Sequence, residues 1–241
     1  MTSTSSTPSI SSGAIPRDEE YYMESVVFQV EGYLFSVPRY YFTSCSDIFA
    51  STFSLPPGES TLQEGSSDEH PFILESISRA DFKGLLRVMY PLQTSQVGSD
   101  LALSKKDWVS ALKLATMWNF RSIREHAITR LSNLDMDPIE KVTLAKEYKV
   151  PKWLLTGYHD IVKRTAPITP DEATRLGLGT TVYLFHIREE ILGSEMAYYN
   201  GYKRREDQNF IELVRKVFKN ELKEVEAADA AYKSLPLVYK S

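Results

Sequence analysis

The first ordered pattern along the chain has a period of two. Val26, Phe28 and Val30 alternate with Val27 and Gln29, and Tyr33, Phe35 and Val37 alternate with Leu34 and Ser36. Only Glu31-Gly32 separates the two runs. Two β-rich runs joined by a two-residue turn containing Gly predict a hairpin. Apolar positions on both faces require cover on both sides of at least one strand. Pro38 ends the second run. A short helical pair is expected next, with Ser46-Asp47 capping a helix that carries Ile48, Phe49 and Phe53 on one side. From Ser54 to His70 the chain turns polar and carries Pro56, Pro57, Gly58 and Gly65, which predicts an exposed, mobile loop. Pro71 to Glu75 reads as a third strand with Phe72 and Leu74 on one face.

The period then changes to that of a helix. Ser78 caps, Asp81 stands at the third position, and Phe82, Leu85, Leu86, Met89 and Tyr90 follow as a stripe that Pro91 stops. Ser104 and Asp107 repeat the capping pattern before Trp108, Ala111, Leu112 and Ala115. After a break near Asn119 come Ile123, Ala127 and Leu131. The rest is helical in character. Asp137-Pro138-Ile139-Glu140 and Thr169-Pro170-Asp171-Glu172 are helix starts with a capping residue, Pro at the first position and an acid at the third. Val150-Pro151 and Ala166-Pro167 mark breaks. A last helix is expected from about Arg204 to Ala231, with Phe210, Leu213, Val214, Val217, Phe218, Leu222 and Val225 on its apolar face.

The fold class is therefore α+β: a small β-sheet with surrounding helices, followed by an all-helical extension. The expected division is a disordered N-terminal tail over 1–20, a mixed domain over 21–134, and a helical extension over 135–241 that ends in the long amphipathic helix. The tail is rich in Ser, Thr and Pro and has no apolar run, so it does not read as a signal peptide.

Composition narrows the function more than the fold. Of the 241 residues 42% are hydrophobic and 25% charged, ordinary values for a globular chain. A net charge of -4 gives no electrostatic reason to expect nucleic acid or an acidic membrane surface as partner. No run approaches the roughly 20 apolar residues of a membrane span. The single cysteine, Cys45, has no internal partner for a disulfide, which favours cytosol or nucleus. It reads as a buried, inert thiol.

Several of these runs together resemble a known family. Ser25 to Pro38 resembles the opening hairpin of BTB/POZ domains. Ser44 to Phe53 resembles that family's helix with a Ser, a buried Phe and a closing Phe. Phe72 to Glu75, Asp81 to Tyr90, Trp108 to Phe120 and Arg121 to Leu134 resemble its next strand and its last three helices. Leu134 to Glu140, Ala145 to Leu155, Gly65 to Pro71 and Leu176 to Gly179 resemble BTB proteins abundant in mushroom-forming fungi. The resemblance implies a non-catalytic protein–protein interaction module that binds a protein partner or itself as a homodimer. It further suggests a substrate adaptor of a cullin-type ubiquitin ligase. Two positions depart from the family pattern. Glu24 or Ser25 stands where an Asp often opens the first strand, and Pro38-Arg39 stands for a His-Lys pair. In several BTB proteins these positions support a dimer interface, so the departures weigh against a homodimer.

Candidate site residues are few. Leu62-Gln63-Glu64 resembles the apolar-x-Glu element that some BTB domains place against a cullin, which marks Leu62 and Glu64. Phe210 and Phe218 mark the last helix as a partner-binding face, although packing on the extension explains the same stripe. His70, His126, His159 and His186 stand far apart, with no Cys or carboxylate at metal spacing, and no cofactor is expected. His159-Asp160 has the look of a dyad without a nucleophile motif. Gly177-Leu178-Gly179 lacks the third Gly and the Lys of a phosphate loop and reads as a helix-ending turn. An enzyme of another class would have to hide its site in the helical half; no small-molecule substrate is expected.

Overall fold

A computed structural model describes residues 17–18, 22–55, 63–91, 103–198 and 210–234, with the side chains of 192–198 outside the description. Strands β1 (Ser25–Val30) and β2 (Tyr33–Pro38) pair antiparallel, in register from Val30 opposite Tyr33 to Ser25 opposite Pro38. Glu31 and Gly32 both have positive φ, 47° and 76°, the backbone that matches the twist of a two-residue hairpin. Strand β3 (Phe72–Ile73) runs parallel to β1 on its other side, so the order is β2-β1-β3. It is shorter than the expected Pro71–Glu75 because the chain turns away at Ser76, where φ is 61°. Val26, Val27, Phe28 and Val30 are all buried, so β1 is covered on both faces, whereas Leu34 and Ser36 of β2 are exposed.

Two short helices, α1 (Tyr40–Cys45) and α2 (Asp47–Ser54), follow. Ser46 caps α2 by accepting from the Phe49 N–H, and its hydroxyl donates to the Trp118 carbonyl at 2.6 Å. A buried capping residue thus also fastens α2 to the end of α4 (Lys105–Met117). The segment expected to be an exposed loop is pinned at its C-terminal end. Gly65 is buried, accepts from Val27 N–H and donates to His70 C=O. At φ +79° a side chain is strained there, and a Cβ would meet Val26 at 2.7 Å.

The first core closes over the sheet with α3 (Arg79–Met89), α4 and α5 (Arg121–Ser132). At its centre is the Phe28 ring, 4.8–6.5 Å from the rings of Phe42, Phe49, Phe53, Phe72 and Phe82. Edge-to-face geometry dominates these pairs, as the ring quadrupole favours. Ser78 and Ser104 cap α3 and α4 as expected, the second with a full capping box through Asp107.

The extension comprises α6 (Pro138–Tyr148), α7 (Pro151–Lys163), α8 (Pro170–Leu176), α9 (Leu178–Tyr198), α10 (Phe210–Val217) and α11 (Lys219–Ser234). Asp137 and Thr169 cap α6 and α8. A second core fills this half, and α4 and α5 serve both. Ala111, Leu114, Ala115, Trp118 and Ile123 enter the first core; Trp108, Leu112, Ala127 and Leu131 enter the second. One helical pair is therefore the common wall of both halves.

The last helix differs from expectation. Residues 199–209 lie outside the described residues, and the remainder divides at Phe218 into α10 and α11. The N–H of Phe218 still reaches Val214 C=O and that of Leu222 reaches Phe218 C=O, so helical hydrogen bonds run across the division. The expected apolar face points inward: Phe210, Val214, Phe218, Leu222 and Val225 are buried in the second core.

Candidate functional site

The structure scatters the residues marked from the sequence. Leu62 lies outside the described residues. Glu64 is exposed in the turn before Gly65. Phe210 and Phe218 face the protein itself: they are 9% and 4% exposed, and Phe218 stacks on Tyr158 with ring centres 4.0 Å apart. Their position on the inner face of α10 and at its junction with α11 leaves the outward residues, not these rings, open to a partner. His159 contacts Asp160 at 3.2 Å, but Asp160 also receives Lys141 at 3.0 Å and the imidazole lies edge-on to Phe210. Gly177 is the turn between α8 and α9, with φ 84°. Cys45 is half-buried; burial pushes its thiol up, partly offset by a hydrogen bond with Ser122. A raised thiol is a poor nucleophile. Among the described residues no three His, Cys, Asp or Glu side chains are placed to hold a metal, and no helix is long and apolar enough to cross a membrane.

The face built by α1 is different. Tyr40 and Tyr41 are 60% and 42% exposed, and their rings lie 5.6 Å apart. Tyr41 meets Tyr90, at the C-terminus of α3, with centres 5.3 Å apart. Tyr90 is fixed because its hydroxyl donates to the Pro38 carbonyl, and burial pushes its phenol well up. Ile48 of α2 is also exposed. Amphipathic rings held in place and open to solvent are the side chains enriched at protein interfaces.

Next to this face the two departures from the family pattern complement each other. Arg39 donates from its backbone N–H to Glu24 C=O at 2.7 Å, and its guanidinium lies 3.7 Å from the Glu24 carboxylate. The guanidinium is held further by the Phe53 carbonyl at 2.8 Å and by stacking on the Phe53 ring, 4.6 Å away. An acid–base pair therefore bridges the start of β1 and the end of β2, with Glu24 supplying the acid one residue ahead of the strand.

A third feature is a buried cation between the domain and the extension. Arg124 of α5 is 1% exposed. It donates to Asp229 of α11 at 2.9 Å and to the carbonyls of Tyr148 and Lys149 at 2.9 and 3.0 Å, and it stacks on Tyr232 at 4.5 Å. One side chain thus joins the mixed domain, the C-terminus of α6 and the last helix. It stands at position i+4 from Phe120 and i−7 from Leu131, both buried, so the stripe itself would have placed it in the core.

No curated protein matches the chain. Residues 18–134 match the family model of the BTB/POZ domain, a module that generally mediates protein–protein interaction. The strands β1 to β3 and helices α1 to α5 lie within that interval. The chain therefore carries a BTB/POZ domain at residues 18–134.

Proposed function

We propose that this chain is a non-catalytic interaction protein that self-associates through the open face of its BTB/POZ domain, with the extension as a rigid support. The exposed aromatic face of Tyr40 and Tyr41 carries the reading. The Glu24–Arg39 pair beside it supports self-association, since the charges at these positions are kept although the residue types differ from the family's usual ones. Light scattering on the full chain at tens of micromolar tests it. A dimer that Tyr40→Glu with Tyr41→Glu converts to monomer, with an unchanged melting temperature, is the expected result. A strict monomer across that range sinks it. Recruitment of a different protein, including a cullin, is the alternative use of the domain. Cullin capture that depends on Leu62 and Glu64 would favour that use, and the fungal resemblance of the extension belongs to the same set of proposals. The chain acts inside the cell, in cytoplasm or nucleus, in either version.

A further inference from the structure

Strand β2 is one edge of the sheet, and its backbone is addressed outward at two residues. In an antiparallel hairpin closed by a two-residue turn, the residues flanking the turn exchange both hydrogen bonds and the next pair exchanges none. With Val30 opposite Tyr33, the residues of β2 bonded to β1 are Tyr33, Phe35 and Val37. The far side of β1 confirms the alternation. Val27 donates away from β2 to Gly65 C=O, and Gln29 accepts there from Leu74 N–H. The N–H and C=O of Leu34 and Ser36 therefore point away from β1, and among the described residues no backbone group meets them. Pro38 has no N–H, and its carbonyl is taken by the Tyr90 hydroxyl, so the open stretch has a definite end. Edge strands are ordinarily blunted by charges, bulges or cover. Tyr33 to Val37 contains no charged residue.

Along this edge lies an apolar groove of about 750 Å³ between β2 and α3. Phe35, Val37, Leu86, Tyr90 and Leu103 furnish its apolar lining. Its polar rim is basic on balance. Arg87 is neutralised by Asp107 at 2.5 Å, whereas the Lys83 ammonium has no ion-pair partner among the described residues. A second copy would bring a rim of the same sign to this one, so charge disfavours a second copy here. It favours an acid.

We propose that the free edge of β2 with its groove is a docking site for an extended, acidic peptide segment of a partner protein, which adds a strand to β2. The peptide bonds to Leu34 and Ser36, places alternate apolar side chains in the groove, and sets a carboxylate against Lys83. This is strand addition, in which main-chain bonds supply affinity and alternate side chains supply specificity. The site is separate from the aromatic face proposed for self-association, and each reading fails independently of the other.

The test is a nuclear magnetic resonance titration of the full chain with the peptide acetyl-Thr-Val-Thr-Ile-Thr-Glu-Thr-amide, together with amide hydrogen exchange. In the free chain the Leu34 and Ser36 amides exchange rapidly; saturating peptide slows both. Ser36→Pro removes one outward donor and no β1 bond, and it weakens binding roughly tenfold, the scale of one unmet hydrogen bond. Lys83→Glu weakens this peptide and strengthens the same peptide carrying Lys in place of Glu. Ser36→Ala, with equal binding and an equal melting temperature, separates these effects from misfolding. Absent binding overturns the proposal, and so does binding that ignores both Ser36→Pro and Lys83→Glu. Protection of Leu34 and Ser36 in the free chain also overturns it: if dilution leaves the protection in place, residues of the same chain fill the edge, and if dilution removes it, a second copy does.

Discussion

Replacement of Arg124 by Ala removes a buried cation from the junction of three elements. The guanidinium offers hydrogen bonds to Asp229, Tyr148 C=O and Lys149 C=O, and its plane stacks on Tyr232. The two carbonyls close α6 at its negative end, where a cation is favoured, and Lys149 holds the left-handed cap conformation with φ 56°. Breaking a buried ion pair by deleting one partner costs about 3–5 kcal/mol, because the remaining charge stays buried. Here Asp229 keeps Lys233 at 2.6 Å, and Lys233 is largely exposed, so the lower end of that range applies, about 3 kcal/mol. For a chain of this length that lowers the melting temperature by about 6–12 °C. Thermal unfolding followed by circular dichroism measures the drop, and hydrogen exchange should locate the first loosening in α11. The double variant Arg124→Met with Asp229→Leu leaves no charge unpaired and recovers part of the loss. A single-variant drop below about 2 °C, or a double variant no better than the single one, would refute the reasoning.

Three further outcomes follow from the same packing. Ending the chain after Leu134 strips the cover from Trp108, Leu112, Ala127 and Leu131 and exposes Arg124; the fragment should bind a hydrophobic dye and lack a cooperative melt, and a sharp melt would contradict the shared-wall picture. Glu172 is held down to about 2 by its paired contacts with Arg164, at 2.7 and 2.5 Å, and by the Thr169 N–H. A depressed carboxyl stabilises fully above its unfolded value of about 4.3, and that contribution is lost as pH falls toward the folded value. The urea midpoint should thus decline from pH 5 to pH 2, less steeply in Arg164→Gln; equal slopes would remove this pair from the account. At Gly157 a Cβ would meet Val142 at 2.7 Å where α7 crosses α6, so Gly157→Leu should lower stability by about 1–3 kcal/mol in urea unfolding, and a neutral result would show that the crossing relaxes.

The elements most legible in the sequence were those with strong local signals. The hairpin turn, the caps Ser46, Ser78, Ser104, Asp137 and Thr169, and the breaks at Pro151 and Pro167 all stand where local backbone chemistry puts them. Gly65 was less legible, because its burial depends on a hydrogen bond to Val27, 38 positions away in the chain, and a polar loop gives no sign of that. The division at Phe218 left no mark either: the helical bonds continue across it, so the apolar period is unbroken. The inward face of Phe210 and Phe218 follows from the same limit. A stripe states that one face is buried and not whether the cover is the chain itself or another protein. The burial of Arg124 left no mark because charge usually marks the solvent face, and its partners, among them Asp229 at 105 positions' distance and the Tyr148 and Lys149 carbonyls, meet it only in the folded chain.

The shared wall decides where a partner can bind. Leu112 and Leu114 are two positions apart on α4, yet one enters the extension's core and the other the domain's core. The extension therefore takes the outer face of α4 and α5 as its own foundation. The ion pair of Lys105 with Glu140, at 2.5 Å, and the Arg124 cluster fasten it there. A binding surface on that face would require the second core to open, at a cost comparable to unfolding the extension. Two surfaces that stay open on the domain are the α1 aromatics and the β2 edge, and both rest on Tyr90, which touches Tyr41 on one side and holds Pro38 on the other. Tyr90→Phe keeps the ring contact and deletes the hydrogen bond. It should leave self-association unchanged while loosening the end of β2, seen as faster exchange at Val37. If it instead abolished both activities, the two surfaces would be one site rather than two neighbours.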